Sequence, residues 1–135
     1  MSSFVLDTHS LLWYLEGNRR LGSRARAKIS AIESHLVVPV IVLAEAGIII
    51  DHGRTKIPSV ARLIDSLAKD SRFEIYPLTL DIFKLSLSSE ASRVTELHDR
   101  LIAATVLYIH DSGLDVSLIT QDENLTNARL VPVVW

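Results

Sequence analysis

The chain has 135 residues, enough for one domain with one hydrophobic core. Its formal net charge of -2 argues against binding of nucleic acid through bulk positive charge, so any such binding must use a local basic patch or bound cations. The absence of cysteine excludes disulfides, thiolate metal ligands and a cysteine nucleophile. Because 48% of the residues are hydrophobic, we expect part of the surface to be buried against a partner or a second copy.

The predicted elements alternate between strands and helices. In chain order they are a strand at 4–6, helices at 8–16 and 23–34, a strand at 36–40, helices at 41–50 and 58–69, a strand at 73–76, helices at 81–93 and 99–110, a strand at 116–119, a short helix at 123–128 and a strand at 130–134. Ser23 is the predicted N-cap of the second helix, and Pro58 is predicted to lie in the first turn of the fourth. The helices at 41–50 and 99–110 are apolar on most sides and are expected to be buried. This alternation predicts one α/β domain, with a mainly parallel central sheet flanked by helices on both faces.

Nothing in the sequence indicates export or insertion into a membrane. The first residues lack the basic region and the long apolar stretch of a secretory signal. The most apolar segment, 37–50, contains Pro39 and Glu45 and is shorter than the roughly 20 residues of a membrane-spanning helix. We therefore expect a cytoplasmic protein.

Four acidic residues stand at positions where the apolar pattern predicts a strand end or the interior. Asp7 and Asp122 follow the first and fourth predicted strands, and parallel sheets place their ligands at such strand ends. Glu45 lies within an apolar helix, and Asp99 begins another. Unpaired carboxylates gathered in one place repel one another and lose hydration, a conflict that a divalent cation resolves. An all-oxygen set without cysteine or a clear histidine pair favours Mg²⁺ or Mn²⁺ over zinc.

Each of these acids also has a purely structural interpretation. Asp7 and Asp99 could be the N-caps of the helices that follow them, and Asp122 could be a turn residue. A salt bridge to an arginine would account for Glu45. Glu123 is an alternative to Asp122 as a ligand. The sequence leaves these alternatives open.

The acids lie within segments that together resemble the PIN domains, and specifically the VapC-type toxins of bacterial toxin–antitoxin pairs. These segments are residues 6–15, 17–21, the helix that holds Glu45, residues 98–105 and residues 119–125. The family's order and rough spacing are kept over essentially the whole chain. The resemblance implies a PIN-like three-layer sandwich over residues 1–135. It also implies an endoribonuclease that uses Mg²⁺ or Mn²⁺ to hydrolyse RNA phosphodiester bonds. The family's acidic positions fall on Asp7, Glu45, Asp99 and Asp122, which would be both metal ligands and catalytic residues.

The same resemblance suggests supporting residues and partners. Thr8 and Thr120 would hydrogen-bond ligand carboxylates, or else local backbone, and Arg100 would contact the substrate phosphate or neutralise the acidic cluster. Trp13 could stack on a base or belong to the core, and the basic run at 19–28 could line an RNA groove or be a solvated helix face. A toxin implies a cognate antitoxin that covers the site. The apolar composition fits such an antitoxin and also fits a homodimer.

Two other functions compete with this one. A phosphohydrolase of the haloacid-dehalogenase kind also begins with a strand that ends in Asp, but it needs a second Asp where this chain has His9. A non-catalytic PIN-like module that binds RNA or protein is the other alternative, and it would fold equally well without a divalent metal. His9 and His98 are each adjacent to an acid, and we expect both to be packed or surface residues rather than general bases.

Overall fold

An all-parallel sheet of five strands forms the centre of the computed structural model, which describes residues 2–135. The strands are β1 (Ser3–Leu6), β2 (His35–Pro39), β3 (Phe73–Tyr76), β4 (Val116–Ile119) and β5 (Val133–Val134). Their order in the sheet is β3-β2-β1-β4-β5, and every neighbouring pair is parallel. All residues of β1 are buried in succession, so both faces of the sheet are covered. The predicted α/β architecture is confirmed.

Seven α-helices flank this sheet within the described residues. They are α1 (Thr8–Glu16), α2 (Ser23–Ser30), α3 (Val40–Asp51), α4 (Val60–Ala68), α5 (Leu80–Leu85), α6 (Leu97–Asp111) and α7 (Glu123–Asn127), with a 3₁₀ turn at Ala91–Arg93. Residues 101–107 of α6 are all buried, as the apolar pattern predicts. No helix in residues 2–135 is long and apolar enough to cross a membrane.

The prediction that the helix at 41–50 is buried is wrong in part. Only Val42 and Ala46 of α3 are fully buried, while the side chain of Ile48 is 55% exposed. One face of α3 packs against α1, α6 and β2, and the opposite face is exposed although its residues are apolar. An apolar sequence on every side of a helix therefore did not imply burial here.

The second helix is shorter than predicted because a distant arginine ends it. α2 stops at Ser30 rather than at residue 34. The Arg72 guanidinium donates to the carbonyl oxygens of Ile29 and Ala31 at 2.6 and 2.8 Å, which satisfies groups that a longer helix would have used. At the other end Gly22, not Ser23, occupies the N-cap position.

Two further boundaries differ for local reasons. α4 begins after Ser59, whose hydroxyl accepts the N–H of Arg62 at 3.2 Å, so Pro58 precedes the cap instead of lying in the first turn. The last strand is confined to Val133–Val134, whereas the prediction was 130–134. Pro132 has no N–H to donate to a strand ladder, which explains the later start.

The helix predicted at 81–93 is interrupted after Leu85. The Ser86 hydroxyl donates to the carbonyl of Phe83 at 2.5 Å, and the Ser88 hydroxyl accepts the N–H of Ala91 at 3.2 Å. Serine side chains that bond the nearby backbone in this way compete with helical hydrogen bonds. The segment consequently forms α5, a turn and the short 3₁₀ turn.

The strand order creates one crevice at the carboxyl edge of the sheet. From β1 the chain proceeds to β2 and β3 on one side, and only later does β4 pair with the other side of β1. The order therefore reverses between β1 and β4, where doubly wound sheets open their ligand crevice. Asp7 follows β1 and Asp122 follows β4 at this position.

Candidate functional site

A cleft of about 520 Å³ opens at the crevice between β1 and β4. Five carboxylates line it: Asp7, Glu45, Glu96, Asp99 and Asp122. The structure therefore brings all four predicted acids to one cleft and adds Glu96. The remaining lining residues include no lysine or arginine, and His9 is the one basic side chain of the described chain that lines the cleft with the five carboxylates.

Asp7 is fixed by hydrogen bonds to both of its carboxylate oxygens. Its Oδ1 accepts the N–H of Ser10 at 3.0 Å and the Ser10 hydroxyl at 2.6 Å, and its Oδ2 accepts the Thr120 hydroxyl at 2.5 Å. Asp7 is thus the N-cap of α1, as the structural interpretation requires. Each carboxylate oxygen has two lone pairs, so capping leaves room for a further ligand. Burial raises the pKa of Asp7, and the bonds from Ser10 and Thr120 and the proximity of His9 oppose that effect only in part.

Two threonine hydroxyls hold the neighbouring acids in place. Thr8, at the start of α1, donates to Oε1 of Glu45 on α3. Thr120 donates to Asp7 and also accepts the N–H of Asp122 at 3.0 Å, so it links the ends of β1 and β4. The Asp122 Oδ1 accepts the N–H of Leu125 and caps α7, so Asp122 is both a helix cap and a residue of the cleft.

Asp99 lies in the first turn of α6 but does not cap it. The cap is Glu96, whose Oε2 accepts the N–H of Asp99 at 2.8 Å, so the N-cap interpretation of Asp99 is wrong. Within residues 2–135 the Asp99 carboxylate accepts no hydrogen bond. Burial would raise the pKa of Glu96, but the N–H of Asp99 and the ring of His98 outweigh it and hold that pKa below its usual value.

The acids act on one another electrostatically, and Asp99 shows this most clearly. Burial, followed by repulsion from Asp122, Glu96, Glu45 and Asp7, raises the pKa of Asp99 to about 7. This carboxyl therefore keeps its proton to a higher pH than an ordinary aspartate does. Perturbation by burial and by several like charges in a cleft is typical of a functional site.

The donor set fits a hard divalent cation. The five acidic residues of the cleft offer carboxylate oxygens, the ligands that Mg²⁺ and Mn²⁺ prefer. Across the described residues, no three His, Asp or Glu side chains already stand close enough together to enclose an ion. Repulsion between the carboxylates works against such closure in the free protein, and a bound cation would reduce that repulsion.

Several residues singled out in the sequence lie elsewhere. The Arg100 guanidinium donates to the carbonyl oxygens of Val94 and Ser92, at 2.7 and 3.4 Å, and it pairs with no acid of the described chain. It therefore supports the loop before α6 and does not neutralise the cluster. Glu123 is exposed and does not line the cleft, whereas Asp122 does.

Sequence reasoning missed Glu96 and Trp135 as residues of the cleft. Glu96 could have been found, since it precedes Asp99 by three residues, the spacing of a capping side chain that bonds the N3 amide. Trp135 follows the last strand, and its ring lies 6.0 Å from that of Trp13 in an edge contact. No local sequence signal links these two tryptophans.

The fold and the site together define an all-parallel α/β protein with an acidic cluster at its topological switch point. The family model of the PIN domain matches residues 4–130 of this sequence. The chain therefore belongs to the PIN domain family.

Solved structures with the same fold include VapBC2, a toxin–antitoxin complex and an endonuclease. VapBC2 from Rickettsia felis, bound to a DNA fragment from its promoter, is similar with a TM-score of 0.68 and 17% identity over 97% of this chain and 96% of that one. A toxin–antitoxin complex from Klebsiella pneumoniae is similar with a TM-score of 0.63 and 20% identity, over 94% and 93% of the two chains. The PIN domain endonuclease Utp24 is similar with a TM-score of 0.52 and 17% identity, over 97% and 82%. At these identities the likeness shows a shared fold. The sequence has no significant match among curated proteins.

Proposed function

We propose that this protein is a Mg²⁺- or Mn²⁺-dependent endoribonuclease and the toxin of a toxin–antitoxin pair. The observation that carries the proposal is the group of five carboxylates in the crevice of a PIN fold, where burial and the other four acids raise the pKa of Asp99. PIN domains are in general nucleases, and one protein of similar fold is a PIN domain endonuclease. The substrate in this proposal is cellular RNA in the cytoplasm.

Asp7, Glu45, Asp99 and Asp122 are the residues that would hold the cation. When bound, the cation orients a water molecule, lowers the pKa of that water and stabilises the charge that grows on the phosphate. Asp7 and Asp99 are the proposed principal ligands. Asp122 binds directly or through water.

The chain's own hydrogen bonds preorganise this site. Ser10 and Thr120 fix both oxygens of Asp7, so its orientation does not depend on the substrate. Thr8 occupies Oε1 of Glu45, which leaves Oε2 able to accept a proton or a hydrogen bond from a water molecule. Glu45 therefore completes the ligand set or orients the attacking water.

A cognate antitoxin is the proposed regulatory partner. One of the structures with a similar fold is described as a toxin–antitoxin complex. This chain also exposes large apolar side chains around α5 and the start of α6, which would be buried against an antitoxin or a second copy of the chain. They are Leu80 (66% exposed), Phe83 (50%), Leu87 (65%) and Leu97 (64%).

A non-catalytic PIN-like binding module is the second candidate. It is favoured by one observation, that no three acidic or histidine side chains of the described residues stand in a geometry that already encloses an ion. Such a module should bind RNA or protein without a metal and without cutting.

The test is cleavage of total RNA by the purified protein with Mg²⁺ or Mn²⁺, compared with EDTA. Asp7→Asn removes the charge of a proposed ligand, and Asp115→Asn makes the same chemical change in an exposed loop away from the cleft. We expect metal-dependent cutting by the wild type and by Asp115→Asn, and none by Asp7→Asn. Folded wild-type protein that binds RNA but leaves it intact would support the binding module instead.

A further inference from the structure

A second cleft continues from the acidic cleft along the line where α1 packs on α3. It has a volume of about 400 Å³ and shares His9, Trp13 and Glu45 with the acidic cleft. Arg20 and Arg54 line this second cleft and not the acidic one. We call this second cleft the Trp13 groove. Two acids, Glu16 and Glu45, line this groove together with the two arginines.

Trp13 forms the wall of the groove. The His9 ring lies 5.3 Å from the Trp13 ring at a tilt of 54°, and the Arg20 guanidinium carbon lies 5.9 Å from the Trp13 ring centre. Trp13 is only partly buried, so part of its ring is open to the groove. An exposed cation–π contact is weaker than the stacking of a base on an aromatic ring, so a base can displace the guanidinium from the ring.

The two arginines are exposed and unpaired within residues 2–135. Neither guanidinium donates a hydrogen bond or forms an ion pair there, and only their backbone amides are engaged. Arg54 is nevertheless held near Trp13, because Glu16 at the end of α1 accepts the Thr55 hydroxyl at 2.5 Å and the Lys56 N–H at 2.9 Å. Glu16 therefore anchors the loop that carries Arg54 against the helix that carries Trp13.

The basic run at 19–28 contributes only one residue to this groove. Arg20 lines it, whereas Arg24 on α2 is exposed and does not. Arg26 is occupied, since it donates to the carbonyl of Asn18 at 2.6 Å. The two arginines of the Trp13 groove are thus Arg20 and Arg54, which are far apart in the sequence.

We infer that the Trp13 groove binds a single-stranded segment of RNA beside the phosphate that is cut, with a base stacked on Trp13 and phosphates on Arg20 and Arg54. This inference rests on the proposed ribonuclease function. The groove offers an aromatic face and free cations next to an acidic metal cleft. This combination matches the bases and phosphates of a single strand, because bases within a duplex are already stacked and cannot lie on an aromatic side chain.

The test is binding of a short fluorescein-labelled single-stranded RNA of mixed sequence, in EDTA so that no cutting occurs. Arg20→Gln and Arg54→Gln should each weaken binding and reduce the slope of log affinity against log salt by about 0.7, the contribution of one phosphate contact. Arg24→Gln is the matched control and should bind as the wild type does. Equal weakening by Arg24→Gln would show diffuse electrostatic attraction and would overturn the inference.

Trp13 is tested with two substitutions and a second signal. Trp13→Leu should weaken binding roughly tenfold without changing the salt slope, whereas Trp13→Phe should retain most of the affinity because it keeps an aromatic face. RNA should quench tryptophan fluorescence in the wild type and quench it less in Trp13→Phe. Loss of affinity in Trp13→Phe as large as in Trp13→Leu, or an oligoglutamate peptide that competes as well as RNA does, would contradict a stacking site for RNA.

The inference and the proposed function can fail separately. If RNA is cut in a metal-dependent way, and substitutions at Trp13, Arg20 and Arg54 leave both binding and cutting unchanged, the ribonuclease proposal stands and the groove inference is rejected. The predicted pattern of binding in a protein that never cuts RNA would retain the groove and reject the ribonuclease.

Discussion

Replacing Asp99 by asparagine should make the metal-free protein more stable, although Asp99 is a proposed metal ligand. Asparagine has nearly the same shape but no charge. In the native protein Asp99 is buried in part and is repelled by the other acids of the cleft, which raises its pKa from 3.8 to about 7. An acid whose pKa is raised by folding destabilises the folded state once it ionises.

The direction of the pH dependence follows from proton binding. Between the unfolded pKa of 3.8 and the folded pKa of about 7, the folded state holds a proton on Asp99 that the unfolded state has lost. Stability contributed by this group therefore falls as the pH rises through that window, and the full penalty is present above pH 7. The benefit of Asp99→Asn should be largest near pH 8 and should shrink towards pH 4.

The size of the effect can be bounded from the same shift. A rise of the pKa from 3.8 to about 7 corresponds to about 4 kcal/mol at 1.36 kcal/mol per unit. Because Asp99 is only partly buried, solvent screens much of this, and we expect about 1–2 kcal/mol. For a chain of this length that is a rise in Tm of roughly 3–8 °C.

The assay is thermal unfolding near pH 8, first in EDTA and then with Mn²⁺. In EDTA we expect Asp99→Asn to melt at a higher temperature than the wild type. Asp115→Asn, the exposed control, should melt at the same temperature as the wild type. With Mn²⁺ the wild type should gain stability because the cation binds only the folded state, and Asp99→Asn should gain much less. A Tm of Asp99→Asn below that of the wild type in EDTA would refute the claim that the Asp99 charge is uncompensated.

Three other predictions concern the supporting residues, pH and the fold. Thr120→Val removes the hydroxyl that holds Asp7, and we expect a 10–100-fold loss of metal affinity or cleavage rate while the protein stays folded; unchanged cleavage would contradict a positioning role. Mn²⁺ affinity, measured by calorimetry, should weaken as the pH falls below about 7, because Asp99 must ionise to bind the cation. For the same reason, binding should release protons. An affinity that does not vary with pH would exclude Asp99 as a ligand. Arg72→Gln should lower the free energy of unfolding, measured with urea, by about 1–3 kcal/mol, because it leaves carbonyl oxygens at the end of α2 without donors. The control Lys69→Gln, on the exposed surface, should lower it by less than about 1 kcal/mol. Equal costs for the two substitutions would show that Arg72 does not terminate α2.

The acidic site could be predicted because its signals are local. An acid that directly follows an apolar strand, or that interrupts an apolar helix, is visible in a few residues of sequence. The parallel pairing of β1 with β4 then brings Asp7 and Asp122 to one edge, which follows from the rule that strand ends of a parallel sheet share a crevice. The register itself was not needed for that conclusion.

The features that escaped prediction depend on residues that are distant in sequence. The end of α2 is set by Arg72, which lies beyond β2, α3 and α4. Arg20 and Arg54 line the same groove because of the way α1 packs on α3. The basic run at 19–28 gave a different set, because Arg20 lies in the turn after α1 whereas Arg24, Arg26 and Lys28 lie on α2, away from the groove.

The exposed face of α3 shows a further limit of pattern analysis. A helix apolar on all sides was expected to be buried, yet Ile48 is exposed in the single chain. Composition reports only that apolar area must be covered, and it does not distinguish the chain's own core from a partner.

The most direct test of the central claim is the chemistry of the cut ends of the RNA. Hydrolysis by an oriented water molecule adds that water across the P–O bond, so one product carries a linear phosphate and the other a hydroxyl. Attack by the neighbouring ribose 2′-hydroxyl, which needs no metal, instead leaves a 2′,3′-cyclic phosphate. We predict metal-dependent cutting with linear phosphate ends by the wild type and by Asp115→Asn, and no cutting by Asp7→Asn or Asp99→Asn. Cyclic ends, or linear ends that persist in EDTA or in Asp7→Asn, would contradict a metal-dependent carboxylate centre.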